Sequence, residues 1–219
     1  MLRKISYTIK LCYKKLIRST HSSNQIKIML QTQDQTFDKQ DFTQIQLPHA
    51  EYDHCIFNNC NFGDQNLSEF KFVDCEFNYC NLSLVKLSDT ALRDVKFKEC
   101  KMLGLRFEDA NQFGLSLSFD TCQLNHSSFY GTTLKKTLFK NCQLQETDFT
   151  ECNLTASLVD KSDLSGATFN RTNLEKADFR TALNYSIDPE TNRLKKAKFS
   201  ISGISGLLDQ HDILIENNF

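Results

Sequence analysis

Turn-forming residues are scarce in this chain: 7 glycines and 2 prolines in 219 residues, and tryptophan is absent altogether. Corners must therefore be made by ordinary polar residues. With no Trp beside 18 Phe, the core repeatedly calls for one shape. No Gly-rich phosphate loop and no Gly-x-Ser-x-Gly elbow occurs. The five histidines, His21, His49, His54, His126 and His211, form no His-Glu-x-x-His or similar metal motif. No apolar run is long enough to span a membrane, and no apolar core followed by small residues marks a signal peptide. Acidic residues are missing from residues 1–28, which carry Arg3, Lys4, Lys10, Lys14, Lys15, Arg18 and Lys27.

What is present is a period of five. Every fifth residue from Phe37 through Phe42, Leu47, Tyr52 and Phe57 to Phe107 is apolar, without exception. After a slip the series resumes at Phe119 and runs through Leu124 and Phe129 to Phe179, giving twenty-eight positions in all. Such a period suits neither a lone helix nor a half-buried strand, and points to an internal repeat. Two residues before each large position the chain places a small or compact one. Cys55, Cys60, Cys75, Cys80, Cys100, Cys122, Cys142 and Cys152 fall there, as do Ala50, Ser127, Thr132, Thr147, Ala167, Thr172 and Ala177. The residue just before the large one is often Asp or Asn, as at Asp41, Asn61, Asn81, Asp148, Asn153 and Asp178.

This unit resembles the pentapeptide-repeat family, and Ala177-Asp178-Phe179 matches its pattern outright. The resemblance covers Phe37 to Phe179. It implies an all-β solenoid, a right-handed quadrilateral β-helix in which each pentad makes one side and four make a coil. About seven coils at a strand spacing of roughly 4.8 Å give a rod of roughly 34 Å. Each coil buries its core only by stacking on its neighbours, so the ends need caps. A filled rod offers no cavity in which carboxylates could be tuned, and an enzyme is not expected; nor is a cofactor or metal. Eight of the nine cysteines sit on the small inward position, which reads as structural packing and not as disulfides or metal ligation. Reduced thiols suggest a cytoplasmic setting. Asn66, Asn81 and Asn153 head glycosylation-like triplets, but these are by-products of the repeat.

Residues 29–183 are thus expected to form the β-helix, with a register break at 108–118, and residues 184–219 a short helical C-terminal cap. Residues 1–28 are an amphipathic surface helix, a transit peptide, a disordered arm or an untranslated stretch before Met29; the last two are favoured. Pro48 is tolerable at a corner. Between Phe107 and Phe119 the spacing is twelve, two more than two pentads. The segment Glu108, Asp109, Ala110, Asn111, Gln112, Phe113, Gly114 and Leu115 is either a register repair or a protruding partner-contact loop, with Gly114 supplying any unusual backbone angle.

Asn111-Gln112-Phe113-Gly114-Leu115 is similar to the first loop of the Qnr quinolone-resistance proteins. With their relative MfpA, those are dimeric rods that bind DNA gyrase and topoisomerase IV through an acidic, DNA-like surface. The resemblance implies a type II topoisomerase partner, no direct nucleic-acid binding, and a homodimer joined through Leu207, Leu208, Ile213 and Ile215; a monomeric cap is the alternative. A second, longer loop of that group is missing, since Phe119 to Phe179 runs uninterrupted. Charge bears on mimicry. From Met29 onward 27 acidic residues face 19 basic ones, with acid toward both ends and a mildly basic belt between. At intervals of twenty, Asp34, His54, Asp74 and Asp94 form a nearly acidic row, whereas Asp53, Val73 and Arg93 form an interrupted one. The other reading is a structural scaffold with an unknown partner.

Overall fold

The computed structural model describes residues 17–18, 28–211 and 213–214. Its strands are short because each is one side of a coil: β1 (Ile17–Arg18), β2 (Ile28–Gln33), β3 (Thr36–Asp38), β4 (Ala50–Asp53), β5 (Ile56–Asn58), β6 (Lys71–Val73), β7 (Glu76–Asn78), β8 (Ala91–Arg93), β9 (Val95–Lys98), β10 (Leu117–Asp120), β11 (Leu138–Lys140) and β12 (Leu158–Asp160). Two sides of the coil become sheets, ordered β1-β2-β4-β6-β8 and β12-β11-β10-β9-β7-β5-β3. All pairs are parallel apart from β1 with β2, where Ile17 and Arg18 of the basic extension face Met29 and Ile28. The third and fourth sides are single bridges, such as Asn61 to Asn81 to Lys101 and Ser128 to Asp148 to Thr168. Partners are twenty residues apart, so four pentads make a turn, and the rod has about seven turns. Bridges from Asn173 to Arg193 and from Asp178 to Lys198 carry the ladder past residue 183.

Corners require a left-handed residue two places after each large one, and glycine supplies only four of these. Asp, Asn, Lys, Glu, His and even Leu84 and Ala156 adopt positive φ instead. Each such residue costs about 1–2 kcal/mol in isolation. The stack offsets that cost, because corner N–H groups donate to the next coil: His54 to the Val73 carbonyl at 3.0 Å, Asp74 to Arg93 at 2.9 Å, Lys161 to the Thr181 hydroxyl at 3.3 Å.

Inside, the large residues form columns. On the second side the rings of Phe37, Phe57, Phe77, Phe97, Phe119 and Phe139 stack with centroids 4.7 to 5.4 Å apart. On the fourth, Phe107, Phe129, Phe149 and Phe169 do the same at 4.4 to 5.2 Å. The small residue has a polar task as well as a steric one. Its side chain donates to the carbonyl of the large residue one coil back: Thr90 to Leu67 at 2.7 Å, Ser157 to Leu134 at 2.7 Å, Thr172 to Phe149 at 2.8 Å, and the thiols of Cys75 and Cys100 to Tyr52 and Phe77 at 3.3 and 3.2 Å. Three of those carbonyls also accept a backbone N–H from three residues on: Leu67 from Phe70 at 3.1 Å, Leu134 from Thr137 at 3.4 Å and Phe149 from Cys152 at 3.0 Å.

One expectation needs correction, that of an unbroken and filled stack. The first stack is not unbroken. Gln44 and His49 lack the left-handed angle found at the other corners of the first coils, and among the described residues no backbone hydrogen bond joins 43–49 to 62–69. Phe42 and Leu47 stay buried, but Ile45 takes the place of a small residue and is exposed. The side therefore peels off the second coil, and the rod does have an open cleft, of about 540 Å³, beside Gln44, Ile45, Gln65 and Asn66. The expected helical C-terminal cap takes the form of 3-10 turns, over Ile201–Leu207 and Asp209–His211. Gly206 lies so close to the Tyr185 carbonyl that no side chain fits there, and its own carbonyl accepts from Ile187 N–H at 2.8 Å. Tyr185, Phe199 and half-buried Leu207 close the core beneath it. Ile213 and Leu214 are exposed and lie in no strand; Ile215 lies outside the described residues.

Candidate partner-binding surface

Bridges at Ala91 to Asn111 and then Leu117 to Val95 confine the two extra residues to 112–116, a narrower interval than the sequence indicates. Rows then continue at a spacing of 22 across the break, as from Phe97 to Phe119. Gln112 occupies the slot of a large residue, and being polar it turns outward and bonds the Ala110 carbonyl at 2.8 Å. Leu115, three residues late, packs against the core in its stead. Between them the chain arches out, with Gly114 at φ +72° and Phe113 at 78 % exposure. Arg93, twenty residues before Phe113, carries its guanidinium 5.4 Å from the ring centroid. Such a contact holds an aromatic ring upright at the surface. Arg93 was legible only as an interruption of the Asp53 row.

Glu108 and Asp109 do not share the loop's exposed face. They form one 3-10 turn over Phe107–Asp109, where Arg106 Nε lies 3.3 Å from Glu108 and 3.2 Å from Asp109. Burial pushes the Glu108 carboxyl above its usual range, only partly opposed by hydrogen bonding and Arg106. Asn111 anchors the loop's start, donating to Asp89 at 2.6 Å and accepting from Phe113 N–H at 3.0 Å.

Asp34, His54, Asp74 and Asp94 do lie in one row, all at left-handed corners. Asp94 accepts from Ser116 at 2.7 Å, tying the row to the loop. His54 Nδ1 is 2.7 Å from Asp53, and that bond, with the charges of Asp53, Asp74 and Asp34, raises the imidazole pKa. Donor atoms of Asp53, His54 and Asp74 lie within 4.8 Å of one another, at an open corner. Elsewhere acids meet bases one coil on: Glu51 with Lys71 at 3.7 Å, Glu76 with Lys96 at 3.0 Å, Asp120 with Lys140 at 3.0 Å and Glu151 with Arg171 at 2.6 Å. At the C-terminal end Leu208 is half-buried and Ile213 exposed, while Ile201 and Leu214 are 94 and 93 % exposed.

The model of the family described as Pentapeptide repeat region matches residues 50–118 and 114–179, more than half of the chain. The chain belongs to the pentapeptide repeat family. No curated protein matches it. Among solved structures, the trypsin-treated form of a variant of QnrB1, a plasmid-mediated fluoroquinolone resistance protein, is 20 % identical over 85 % of this chain and 92 % of that one, with a TM-score of 0.50. Full-length QnrB1 is 16 % identical over 84 % of this chain and 100 % of that one, at 0.43. HetL, a pentapeptide repeat protein involved in heterocyst differentiation regulation from the cyanobacterium Nostoc sp. strain PCC 7120, is 14 % identical over 78 and 85 % of the two chains, at 0.29. At these identities the likeness is one of fold. Within the repeat fold the chain's own departures are the loop at 112–116 and the peeled side at 43–49. From Gln123 through Gln143 to Asp163 the ladder steps by twenty with no second insertion. No helix among the described residues is long and apolar enough to cross a membrane.

Proposed function

We propose that this pentapeptide repeat protein is a non-catalytic binding rod whose partner is a type II DNA topoisomerase, DNA gyrase or topoisomerase IV, and that it modulates quinolone sensitivity. The observation that carries the reading is the lifted Phe113: among the described phenylalanines it alone is exposed, on the arch where the extra residues leave the stack. Aromatic rings backed by arginine are typical anchors of protein interfaces. The adjoining corner row, Asp34, His54, Asp74 and Asp94, supplies acid to a basic channel built to hold phosphates. Binding is to protein, with no direct contact to nucleic acid, and the likeness to a fluoroquinolone resistance protein supports the choice. Exposed Ile201, Ile213 and Leu214 fit a homodimer joined through the C-terminal segment that also includes Leu207, Leu208 and Ile215.

A scaffold for another partner is the second reading. It is favoured by the ion pairs between coils, which neutralise much of the acid that mimicry would need. A gyrase supercoiling assay with the full chain, with and without a fluoroquinolone and at two salt concentrations, separates them. Salt-sensitive inhibition or rescue from the drug, lost in Phe113→Ala, is the expected result. No effect at high micromolar protein would leave the scaffold.

A further inference from the structure

Eight buried free thiols take no part in that reading. Five of them, Cys60, Cys80, Cys100, Cys122 and Cys142, stand one above another, each beside a bridged residue of the third side (Asn61, Asn81, Lys101, Gln123, Gln143), and Ser162 continues the row. The register makes consecutive thiols neighbours across the stack, Cys60 with Cys80, Cys80 with Cys100, Cys100 with Cys122 and Cys122 with Cys142, and Cys60 N–H donates to the Cys80 sulfur at 3.4 Å. Cys55 and Cys75 make a second row of two. Among the described residues Cys152 has no thiol neighbour; the hydroxyl of Thr132 lies 3.4 Å from its sulfur.

The spacing of such a row is set by the backbone. Stacked strands lie about 4.8 Å apart, and side chains in register repeat at that distance. A disulfide needs its Cβ atoms about 3.8 Å apart, closer than the stack brings them. Zinc needs four ligands disposed as a tetrahedron, whereas each gap in the row offers the sulfurs of two consecutive coils. Two metal–sulfur bonds of about 2.3 Å laid end to end span about 4.6 Å, close to the strand spacing of about 4.8 Å. Thiolates favour soft ions, copper(I) among them, and copper(I) is content with two sulfurs where zinc is not.

We propose that the five-thiol row is a binding site for a soft monovalent ion, copper(I), with each ion bridging the sulfurs of consecutive coils. Each thiol gives up its one proton to solvent as its first S–Cu bond forms, the inner thiolates then use a second lone pair for the next ion, and copper and sulfur keep their oxidation states. The proton given up is the one held by the carbonyls of the previous coil, as in Cys100 to Phe77, so the metal replaces a hydrogen bond without displacing a side chain. All five thiols are at most 2 % exposed, so loading requires a corner to open and is slow beside reaction of a surface thiol.

Adjacency, not thiol number, is what the proposal depends on, and two variants of the full chain isolate it. Cys80→Ser with Cys122→Ser leaves Cys60, Cys100 and Cys142 without neighbours; Cys60→Ser with Cys152→Ser removes as many thiols but keeps four in a run. Serine donates to the same carbonyls in this fold, as Ser162 does to Phe139, so both variants retain the packing. Each is titrated without oxygen with copper(I) against bicinchoninate, reading copper per chain, the thiolate-to-copper absorption band and the β circular dichroism. The second variant is expected to retain at least two ions in the row and the first to lose all of them. Equal copper in the two variants would overturn the proposal, as would uptake that accompanies loss of the β signal in the native chain.

Discussion

The thiol of Cys80 donates to the carbonyl of Phe57, 23 residues earlier, across 3.3 Å. The small position of the repeat is therefore chosen for a donor as well as for size, so substitutions at Cys80 should rank by hydrogen bonding first. Cys80→Ser should change stability little, Cys80→Ala should lose about 1 kcal/mol with the bond, and Cys80→Leu should lose about 1–3 kcal/mol by overpacking. Chemical denaturation of the three variants, compared at one temperature, gives the order directly.

Alanine-to-glycine replacement should have opposite signs at two sites. Ala156 is an exposed corner at φ +58°, where glycine relieves left-handed strain and should stabilise by a few tenths to about 1 kcal/mol. Ala177 is fully buried beside the core at negative φ, and glycine there should destabilise by about 1 kcal/mol. Thermal midpoints that move the same way would contradict the assignment of the two positions.

The loop should separate binding from stability. Phe113→Ala removes an exposed ring and should leave the melting temperature within about a degree of native, since surface changes are usually within about 0.5 kcal/mol. Gly114→Ala forces φ +72° on a residue with a side chain that meets Arg93, and should cost about 1–2 kcal/mol locally. Both should weaken binding to any partner that uses the loop, measurable by calorimetry once that partner is in hand.

His54 should titrate above its ordinary 6.5, because the bond from Asp53 and the surrounding carboxylates favour the charged ring. A folded pKa raised above the unfolded one contributes stability that is complete below pH 6.5 and disappears as pH rises through the folded value. Imidazole NMR shifts should show the raised value falling back in Asp53→Asn, and Asp74→Asn should lower it less.

Truncating a ring in the middle of a column should be severe. Phe129 is fully buried between Phe107 and Phe149, and no neighbour can slide along the axis to refill its place. Phe129→Ala should cost about 3–5 kcal/mol, read as a loss in denaturation midpoint.

A period of five fixes a square coil because every turn must solve the same packing problem, and that is why Phe37 through Phe179 was legible as one solenoid. Local departures were not. Leu47 keeps the rhythm while Thr43 to His49 leave the ladder, since the rhythm reports burial of one side chain and says nothing of its backbone partners. Asn111 to Leu115 stood out by count, but only the register on both sides shows that Leu115 inherits the slot Gln112 cannot fill. The cap is legible as a helix from its composition; its 3-10 winding and the seat of Gly206 against Tyr185 are tertiary details that composition does not carry. The continuous column of thiols, joined from Cys100 to Cys122, becomes visible once the step of twenty is known to change to twenty-two, whereas Arg93 under Phe113 is a side-chain contact of the arch.

That change of step has a geometric consequence for the whole surface. One pentad is a quarter turn, so inserting five residues anywhere would rotate everything beyond it by ninety degrees. The two extra residues at 112–116 are thrown outward as an arch, and the coils beyond them resume in phase. Phe113 and the C-terminal segment therefore stand at compass bearings fixed by residue number alone, and a designed insertion of one pentad after Phe149 would turn the terminal segment to a new face while leaving the loop where it is.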